Sequence, residues 1–254
     1  MVMGEPPRSQ GEVHFRLFGF PVRVHPLFWI VTVILGLGGS RNPDLRLVLI
    51  DLAIWTAAVF LSILVHELGH AFAARYYGLS PSIVLYSMGG LTSYVPFGSS
   101  RVGSLGEILI SIAGPVAGFL LAAATAGLAR LAGYPVSVER LGPLLQVTIP
   151  ALVANSITVT IFLNQVLFVS VFWGMINLLP IYPLDGGHIA REALLRVNPR
   201  EGIRQSLLLS CLTAAALAVV GYVRLHSLYI ALVFGYLAYM SYLSLQACQG
   251  RRPW

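Results

Sequence analysis

Lysine is absent from this sequence, so its formal net charge of +6 comes entirely from arginine. Charged residues are scarce at 10%, whereas hydrophobic residues make up 57% of the 254 residues and the mean hydropathy is +0.79. This composition is too apolar for an ordinary soluble domain and is typical of a membrane protein. The arginines are scattered between apolar stretches, which argues against a basic patch that binds nucleic acid.

Cysteine is almost absent as well. Cys211 and Cys248 both fall in apolar C-terminal segments and resemble neither a disulfide framework nor a CxxC metal site. No polar or Pro/Ser-rich stretch is long enough to link two domains. We therefore expect residues 1–254 to form a single integral membrane domain.

The apolar stretches predict an all-α, polytopic membrane protein with about six transmembrane helices. The first stretch is short for a membrane span. From Leu144 to Leu179 the chain is apolar for longer than one span needs, and Pro150, Asn155, Ser156 and Gln165 indicate an outer interfacial piece before the fourth span. The predicted spans are Val24 to about Gly39, Leu47 to about Phe72, Leu105 to Leu131, a fourth from about Ile161, Leu207–Val223 and Leu228–Leu245.

The arginines also predict the orientation of these spans, because cytoplasmic loops are enriched in positive charge. If the N-terminus is cytoplasmic, the outer segments contain only Arg41, Arg46, Arg130, Arg140 and Arg224, and all other arginines lie inside. The sequence therefore predicts a multi-pass protein of the cell inner membrane with its N-terminus in the cytoplasm. The second and fourth spans then both end on the cytoplasmic side, so a site shared by those ends faces the cytoplasm.

The second span contains the string HELGH at residues 66–70. On a helix, His66 and His70 share one face and Glu67 lies beside them. In this arrangement two neutral imidazoles hold zinc and the carboxylate activates a water molecule for hydrolysis. Ionisable side chains inside a membrane span are costly, which favours a metal site over a helix-packing role for the histidines.

The chain contains three aspartates in which a third zinc ligand can be sought. Asp51 lies 15 residues before His66 on the same span, about 22 Å away at the helical rise of about 1.5 Å per residue, and the remaining upstream aspartate is farther still. Asp185, in a very apolar setting, is therefore the preferred third ligand. Glu107 and His188 are the alternatives.

Two prolines and a Gly-Gly pair predict a helix break over residues 180–187. Open backbone inside a membrane is tolerated only where protein covers it or where it lines a wet cavity. We therefore expect a water-accessible pocket beside Asp185. Asn177, about two turns earlier, either hydrogen-bonds a substrate carbonyl or braces the helix.

A small membrane-associated β-hairpin is predicted between the second and third spans. Ile83–Tyr86 and Leu91–Val95 are β-prone, and Gly89-Gly90 between them is a turn signal. The hairpin is either a simple amphipathic surface element or an edge strand beside the site that pairs with an extended peptide.

These motifs together resemble the site-2 protease family of intramembrane zinc metalloproteases. The resemblance rests on HELGH in an early span, the Gly-Gly pair in a following hairpin, SIAGP at 111–115 and N-x-x-P-x-x-P-L-D-G beginning at Asn177. It covers a three-span catalytic core at about residues 47–187, and the six-span layout resembles the smaller prokaryotic members without PDZ or CBS-like extensions. Gly118 is a departure, because many members carry a polar residue there.

The resemblance implies that His66, His70 and Asp185 bind one zinc ion per chain, that Glu67 is the catalytic acid/base and that Asn177 assists at the site. It also implies a zinc endopeptidase that cleaves the transmembrane segment of a membrane-protein substrate within the lipid bilayer, often to release a tethered regulator.

Two functions of other classes remain open. A metal-ion transporter also places histidine and aspartate in its spans, although it does not need Glu67 within an HExxH string. An inactive scaffold would keep the fold and bind zinc or partners without hydrolysing a peptide bond.

Overall fold

The computed structural model describes residues 7, 9–39, 44–87, 89–96, 102–141, 144–150 and 157–249. These residues form a mostly helical protein with two small β-sheets. The helices are α1 (Pro26–Gly39), α2 (Leu45–Tyr76), α3 (Ser104–Leu131), α4 (Ile157–Asn177), α5 (Asp185–Val197), α6 (Gly202–Val223) and α7 (Leu228–Gln249). The strands are β1 (Val13–Leu17), β2 (Phe20–Val24), β3 (Leu79–Tyr86), β4 (Gly89–Pro96), β5 (Ser137–Leu141) and β6 (Leu144–Thr148).

Five of the described helices are long and apolar enough to cross a membrane, namely α2, α3, α4, α6 and α7. They confirm the predicted class of helical, multi-span membrane protein. Helix α1 has 14 residues and rises only about 21 Å, less than the hydrocarbon thickness of about 30 Å. The first predicted span, Val24 to about Gly39, is therefore not confirmed, and neither is the predicted count of six.

The chain divides into two compact units. The HELGH unit contains the described residues within 4–100 and 113–174, and the C-terminal unit contains those within 101–112 and 175–254. Helices α3 and α4 contribute residues to both units. The single domain over residues 1–254 stays a prediction.

A four-stranded sheet in the HELGH unit has the order β1-β2-β3-β4. Strands β1 and β2 pair antiparallel, β2 and β3 pair parallel, and β3 and β4 pair antiparallel. The predicted hairpin is confirmed as half of this sheet, whereas β1 and β2 are not predicted from the sequence. Each has only five residues, and His14, Arg16 and Arg23 give this segment a mixed, polar composition.

The inner face of the sheet packs on α2. Its buried side chains form one apolar core with those of α2, and HELGH lies within the stretch of α2 that this core holds. The sheet contributes Phe20, Val22 and Val24 from β2 and Ile83 and Leu85 from β3, and α2 contributes Val59, Ile63, Leu64, Leu68 and Ala71.

Arg75 joins the end of α2 to the turn between β1 and β2. Its Nη1 donates a hydrogen bond of 2.9 Å to the carbonyl oxygen of Phe18. Its guanidinium carbon lies 4.2 Å from the ring centroid of Phe20, in cation–π contact. The last turns of α2, which carry His70, are therefore attached to the sheet at both the apolar core and this arginine.

Gly89 and Gly90 lie at the start of β4 and not at the hairpin turn. Gly89 pairs with Tyr86, so the turn precedes both glycines. A side chain at Gly89 would overlap the indole of Trp173, and the φ of +108° at Gly89 lies in the region that favours glycine. The predicted turn position is wrong, because Gly89 lies within β4, where its positive φ and its packing against Trp173 both require glycine.

The second hairpin, β5–β6, precedes α4, and its strand β6 lies in the stretch expected to form an outer interfacial piece. The side chain of Asn164 in α4 fixes the chain after β6. Its Oδ1 accepts a hydrogen bond of 2.8 Å from the N–H of Ile149, and its Nδ2 donates one of 2.9 Å to the carbonyl oxygen of Ile149. Residues 151–156 of the expected piece lie outside the described residues.

In the C-terminal unit the predicted helix break is present, over residues 178–184. Helix α4 ends at Asn177 and α5 begins at Asp185, so Gly186 and Gly187 lie in α5 and not in the break. Both glycines are buried, and a Cβ at Gly186 would overlap the backbone of residues 178–179. The break therefore ends earlier than predicted, because these glycines serve close packing of α5 on the open backbone.

Protein covers the open backbone at the centre of this break. The N–H of Tyr182 donates a hydrogen bond of 3.1 Å to Oγ of Ser210 in α6, and Oγ of Ser241 in α7 donates one of 3.2 Å to the Tyr182 carbonyl oxygen. The side chain of Ile181 is completely buried. Coverage by protein, one of the two settings that membranes allow for open backbone, is therefore found at Tyr182. The water-accessible pocket beside Asp185 stays a prediction.

Candidate active site

The HELGH string lies near the C-terminal end of α2, a helix of 32 residues. His66, Glu67 and His70 are only 3%, 4% and 7% exposed, so three ionisable side chains are buried within one membrane-spanning helix. The spacing of four residues places the two imidazoles on one face of the helix, with ring centroids 4.9 Å apart. The predicted helical arrangement of this motif is confirmed.

The spacing of the two imidazoles fits a shared metal ion. Nε2 of His66 lies 3.2 Å from Nε2 of His70. Zinc–nitrogen bonds of about 2.0–2.1 Å at a tetrahedral angle place two ligand nitrogens about 3.3 Å apart. A carboxylate oxygen of Glu67 completes a group in which all ligand atoms lie within 4.8 Å of one another. The donor types and their separation therefore suit zinc held by the two histidines.

Glycines allow α3 to approach α2 closely beside these histidines. A Cβ at Gly114 of α3 would overlap the imidazole of His70. A Cβ at Gly118, one turn later, would lie 3.3 Å from the carbonyl oxygen of Ser170 and 4.0 Å from Nδ1 of His66. Only glycine therefore fits at position 114 beside His70, whereas a Cβ at position 118 would be in ordinary van der Waals contact with His66.

The side chain of Glu67 lies against β4. Oγ1 of Thr92 donates a hydrogen bond of 2.7 Å to Oε2 of Glu67 and lies 3.1 Å from the Glu67 carbonyl oxygen. A Cβ at Gly90 would overlap Cγ, Cδ and Oε1 of Glu67. Strand β4 thus contacts both the backbone and the carboxylate of this residue.

Helix α4 contacts the same region of α2 through a pair of serines. Oγ of Ser170 donates a hydrogen bond of 3.1 Å to Oγ of Ser62, and both residues are buried. Ser62 lies one helical turn before His66. Within its unit, the HELGH turn is therefore packed by α3, α4 and β4.

The other predicted site residues lie in the C-terminal unit. Asp185 is the first residue of α5, and Asn177 is the last residue of α4 and only 7% exposed. Glu107 lies in the first turn of α3, and His188 lies in α5. The assignment of Asp185, with Glu107 and His188 as alternatives, and the assisting role of Asn177 stay predictions.

Three contacts of this site are not evident from the motifs. Gly114 belongs to the SIAGP string, but its sequence position does not reveal that it makes room for His70. Gly90 belongs to the Gly-Gly pair, yet its approach to Glu67 requires the packing of β4 on α2. Thr92 becomes recognisable only from the strand register, which places it opposite the buried Ile83.

Comparison with known proteins agrees with this geometry. The sequence pattern of Peptidase family M50 matches residues 54–220. Zinc metalloprotease MJ0392 of Methanocaldococcus jannaschii is 27% identical over 187 residues, and the Putative zinc metalloprotease Rip3 of Mycobacterium tuberculosis is 34% identical over 193 residues. Each alignment covers 71% of this chain but only 44% and 43% of those two proteins, so the chain spans less than half of their length.

The fold is similar to a solved structure, the Site-2 Protease from Methanocaldococcus jannaschii, with a TM-score of 0.57 and 20% sequence identity. This likeness covers 92% of the present chain and 95% of the other. Five apolar spans, one of them with a buried HExxH motif, define an integral membrane protein of the metallopeptidase type. The family match extends over more than half of the chain, and the protein belongs to peptidase family M50, as its resemblance to site-2 proteases indicated.

Substitution of Gly114 by alanine is expected to reduce the zinc content of the purified protein, because the new Cβ displaces the imidazole of His70. Gly118→Ala is the matched control on the same helix, since its Cβ meets nothing closer than 3.3 Å. Metal analysis of both variants checks this. Equal zinc content in the two variants would contradict the packing argument.

Proposed function

We propose that this protein is an intramembrane zinc metalloprotease that hydrolyses a peptide bond within or near the transmembrane segment of a membrane-protein substrate. The observation that carries the proposal is the buried pair of imidazoles, 3.2 Å apart at Nε2, with Glu67 beside them in a membrane span. Membership of peptidase family M50 supports it, as does the similarity to two proteins named as zinc metalloproteases.

The proposed ligands are His66, His70 and Asp185, which hold one zinc ion per chain. Three protein ligands leave one coordination position for water or substrate, as in other catalytic zinc sites. When bound, zinc supplies a Lewis acid that activates water and polarises the scissile carbonyl. Asp185 lies at the start of α5, directly after the helix break.

Glu67 is the proposed general base and acid. It accepts a proton from the attacking water and passes this proton to the leaving amide nitrogen. The hydrogen bond from Thr92 and the close approach of Gly90 hold its carboxylate beside the histidines. Asn177, with its amide side chain, is proposed to hydrogen-bond the carbonyl oxygen as negative charge develops there.

The substrate must present an unwound segment, because a transmembrane helix covers its own peptide bonds with hydrogen bonds and side chains. An unpaired backbone amide in a water-poor site costs several kcal/mol, so extended backbone needs new partners. Strand β4 is the last strand of the sheet order and pairs only with β3 among the described strands. We propose that substrate adds to this edge as a further strand.

The protein is further proposed to lie in the cell inner membrane with its N-terminus and active site toward the cytoplasm, and to form one domain with its catalytic core at about residues 47–187. Cleavage near the cytoplasmic end of a substrate span would release a membrane-tethered factor into the cytoplasm. The arginine distribution supports this orientation.

Substitutions at the proposed site separate ligands from the base. Purified protein is expected to contain about one zinc ion per chain. The double variant His66→Ala/His70→Ala should lose it, and Asp185→Asn should reduce it. Glu67→Gln should retain zinc and lose hydrolysis of a single-span reporter substrate, because the residue moves a proton and does not bind the metal.

Asp51→Asn is the matched control for the aspartate, since it makes the same chemical change on α2 far from HELGH. If Glu107→Gln removed the metal while Asp185→Asn did not, the assignment of the third ligand would be wrong. Zinc transport into liposomes by the Glu67→Gln variant would instead favour a transporter.

Orientation is testable with single cysteines at Gln10, Ser137 and Arg200, after replacement of Cys211 and Cys248 by serine. A membrane-impermeant maleimide should label Gln10→Cys and Arg200→Cys only from the cytoplasmic side. Ser137→Cys should react only from outside. Labelling of residue 200 from outside would overturn the proposed orientation.

Flexible substrates should be cleaved faster than rigid ones. Reporter substrates with Gly, Pro or Asn near the centre of the span are expected to unwind more readily than poly-Leu spans of the same length. Cleavage rates of such a panel in detergent or vesicles check this. Equal rates across the panel would remove the requirement for unwinding and strand addition, while the proposed zinc site would stand.

A further inference from the structure

The hydroxyl of Thr92 donates a hydrogen bond to the carboxylate of Glu67. Its Oγ1 lies 2.7 Å from Oε2, the usual distance for a hydroxyl that donates to a carboxylate oxygen. The same Oγ1 lies 3.1 Å from the carbonyl oxygen of Glu67. One hydroxyl on β4 therefore contacts both the side chain and the backbone of a single residue of α2.

The pairing of β4 with β3 shows on which face of the sheet Thr92 lies. Thr92 pairs with Ile83, which is 1% exposed in the core against α2, so both side chains lie on the inward face of the sheet. An apolar residue is the ordinary choice for an inward position of this kind. The next inward position toward the turn is Gly90, which has no side chain and lies directly against Glu67. Two consecutive inward positions of β4 thus accommodate the same carboxylate.

Together these neighbours restrict how Glu67 can be arranged. A glutamate side chain has three rotatable bonds, so an unrestrained carboxylate samples several rotamers. Gly90 lies against Cγ, Cδ and Oε1, and Thr92 holds Oε2. A general base must reach its proton at hydrogen-bond distance, and a misplacement of about 1 Å can cost about 100-fold in rate.

We propose that Thr92 is a positioning residue that holds the Glu67 carboxylate in its reactive rotamer by hydrogen bonding to Oε2. The proposal rests on the proposed role of Glu67 as the general base. Thr92 itself touches neither the reacting atoms nor the zinc ligands in this mechanism. Its hydroxyl leaves Oε1 as the oxygen that receives the proton from water.

The test is a kinetic comparison of Thr92→Val, Thr92→Ala and Thr92→Ser on a single-span reporter that the wild-type protein cleaves. Thr92→Val keeps the shape of the side chain and removes the hydroxyl. It is expected to lower kcat by at least about 10-fold, the loss typical of one charge-assisted hydrogen bond. KM should change by less than about twofold, because the edge of β4 is retained. Thr92→Ala should show the same loss of kcat.

Thr92→Ser restores the hydroxyl and is expected to bring kcat back to within about threefold of wild type. Thr125→Val is the matched control: it removes a buried threonine hydroxyl of the same unit, which bonds Leu121 O within α3 at 2.8 Å. It should leave kcat and KM unchanged. Zinc content and the thermal unfolding midpoint are measured for every variant and should equal those of the wild type.

Several outcomes would overturn the proposal. The first is a normal kcat in Thr92→Val, and the second is an equal loss of kcat in Thr92→Ser. The third is an increase in KM with kcat unchanged, and the fourth is a loss of zinc that accompanies the loss of kcat. Failure of both Thr92→Val and Thr92→Ala to fold would also overturn it, because the hydroxyl would then serve stability. The Glu67→Gln variant distinguishes a failure of the proposed function from a failure of the role of Thr92. Full activity of Glu67→Gln would refute the proposed function. An inactive Glu67→Gln together with a fully active Thr92→Val would refute only the role of Thr92.

Discussion

Burial of two imidazoles and a carboxylate inside an apolar span is the constraint from which the surrounding packing follows. A buried polar group without a partner costs several kcal/mol, and water does not compensate for it in the hydrocarbon region. The neighbouring elements must therefore come close enough to exclude lipid without adding bulk beside the polar atoms. Glycines at the contacts with His70 and Glu67, Gly114 and Gly90, meet this requirement.

The same requirement extends to the backbone and to the polar residues of the other spans. Ser210 and Ser241 hydrogen-bond the open backbone at Tyr182, and Asn164 does the same for Ile149. In a soluble protein such groups could bond to water, but a membrane leaves only protein partners. Ser210, Ser241 and Asn164 are therefore structural, whereas the polar residues of HELGH converge on one another.

A β-sheet beside a membrane-spanning helix has a chemical consequence. Helix α2 satisfies its own backbone, so it cannot pair with extended substrate, whereas an edge strand can. In the proposed mechanism β4 both receives the substrate backbone and holds Glu67 through Thr92. Both functions depend on the core between the sheet and α2, so the substrate edge and the base keep a fixed distance from each other.

The sequence by itself determined five membrane spans and the pair of histidines. Long apolar runs have few alternatives to membrane helices, and the helical period alone places His66 and His70 together because they are four residues apart. Local patterns of this kind need no knowledge of distant contacts. The break before Asp185 was also predictable, since prolines interrupt helices wherever they lie, although its end was not.

Only the tertiary structure decided the sheet order, the true place of Gly89 and Gly90, and the contacts of Thr92. Strand β2 pairs in parallel with β3, which lies more than fifty residues later, and no local pattern predicts such a pairing. The Gly-Gly pair has the signature of a turn, yet Trp173 and Glu67 occupy the space that its side chains would need. A glycine that a position requires for its backbone conformation and one that it requires for its small volume look the same in sequence. Only the packing around the position distinguishes them.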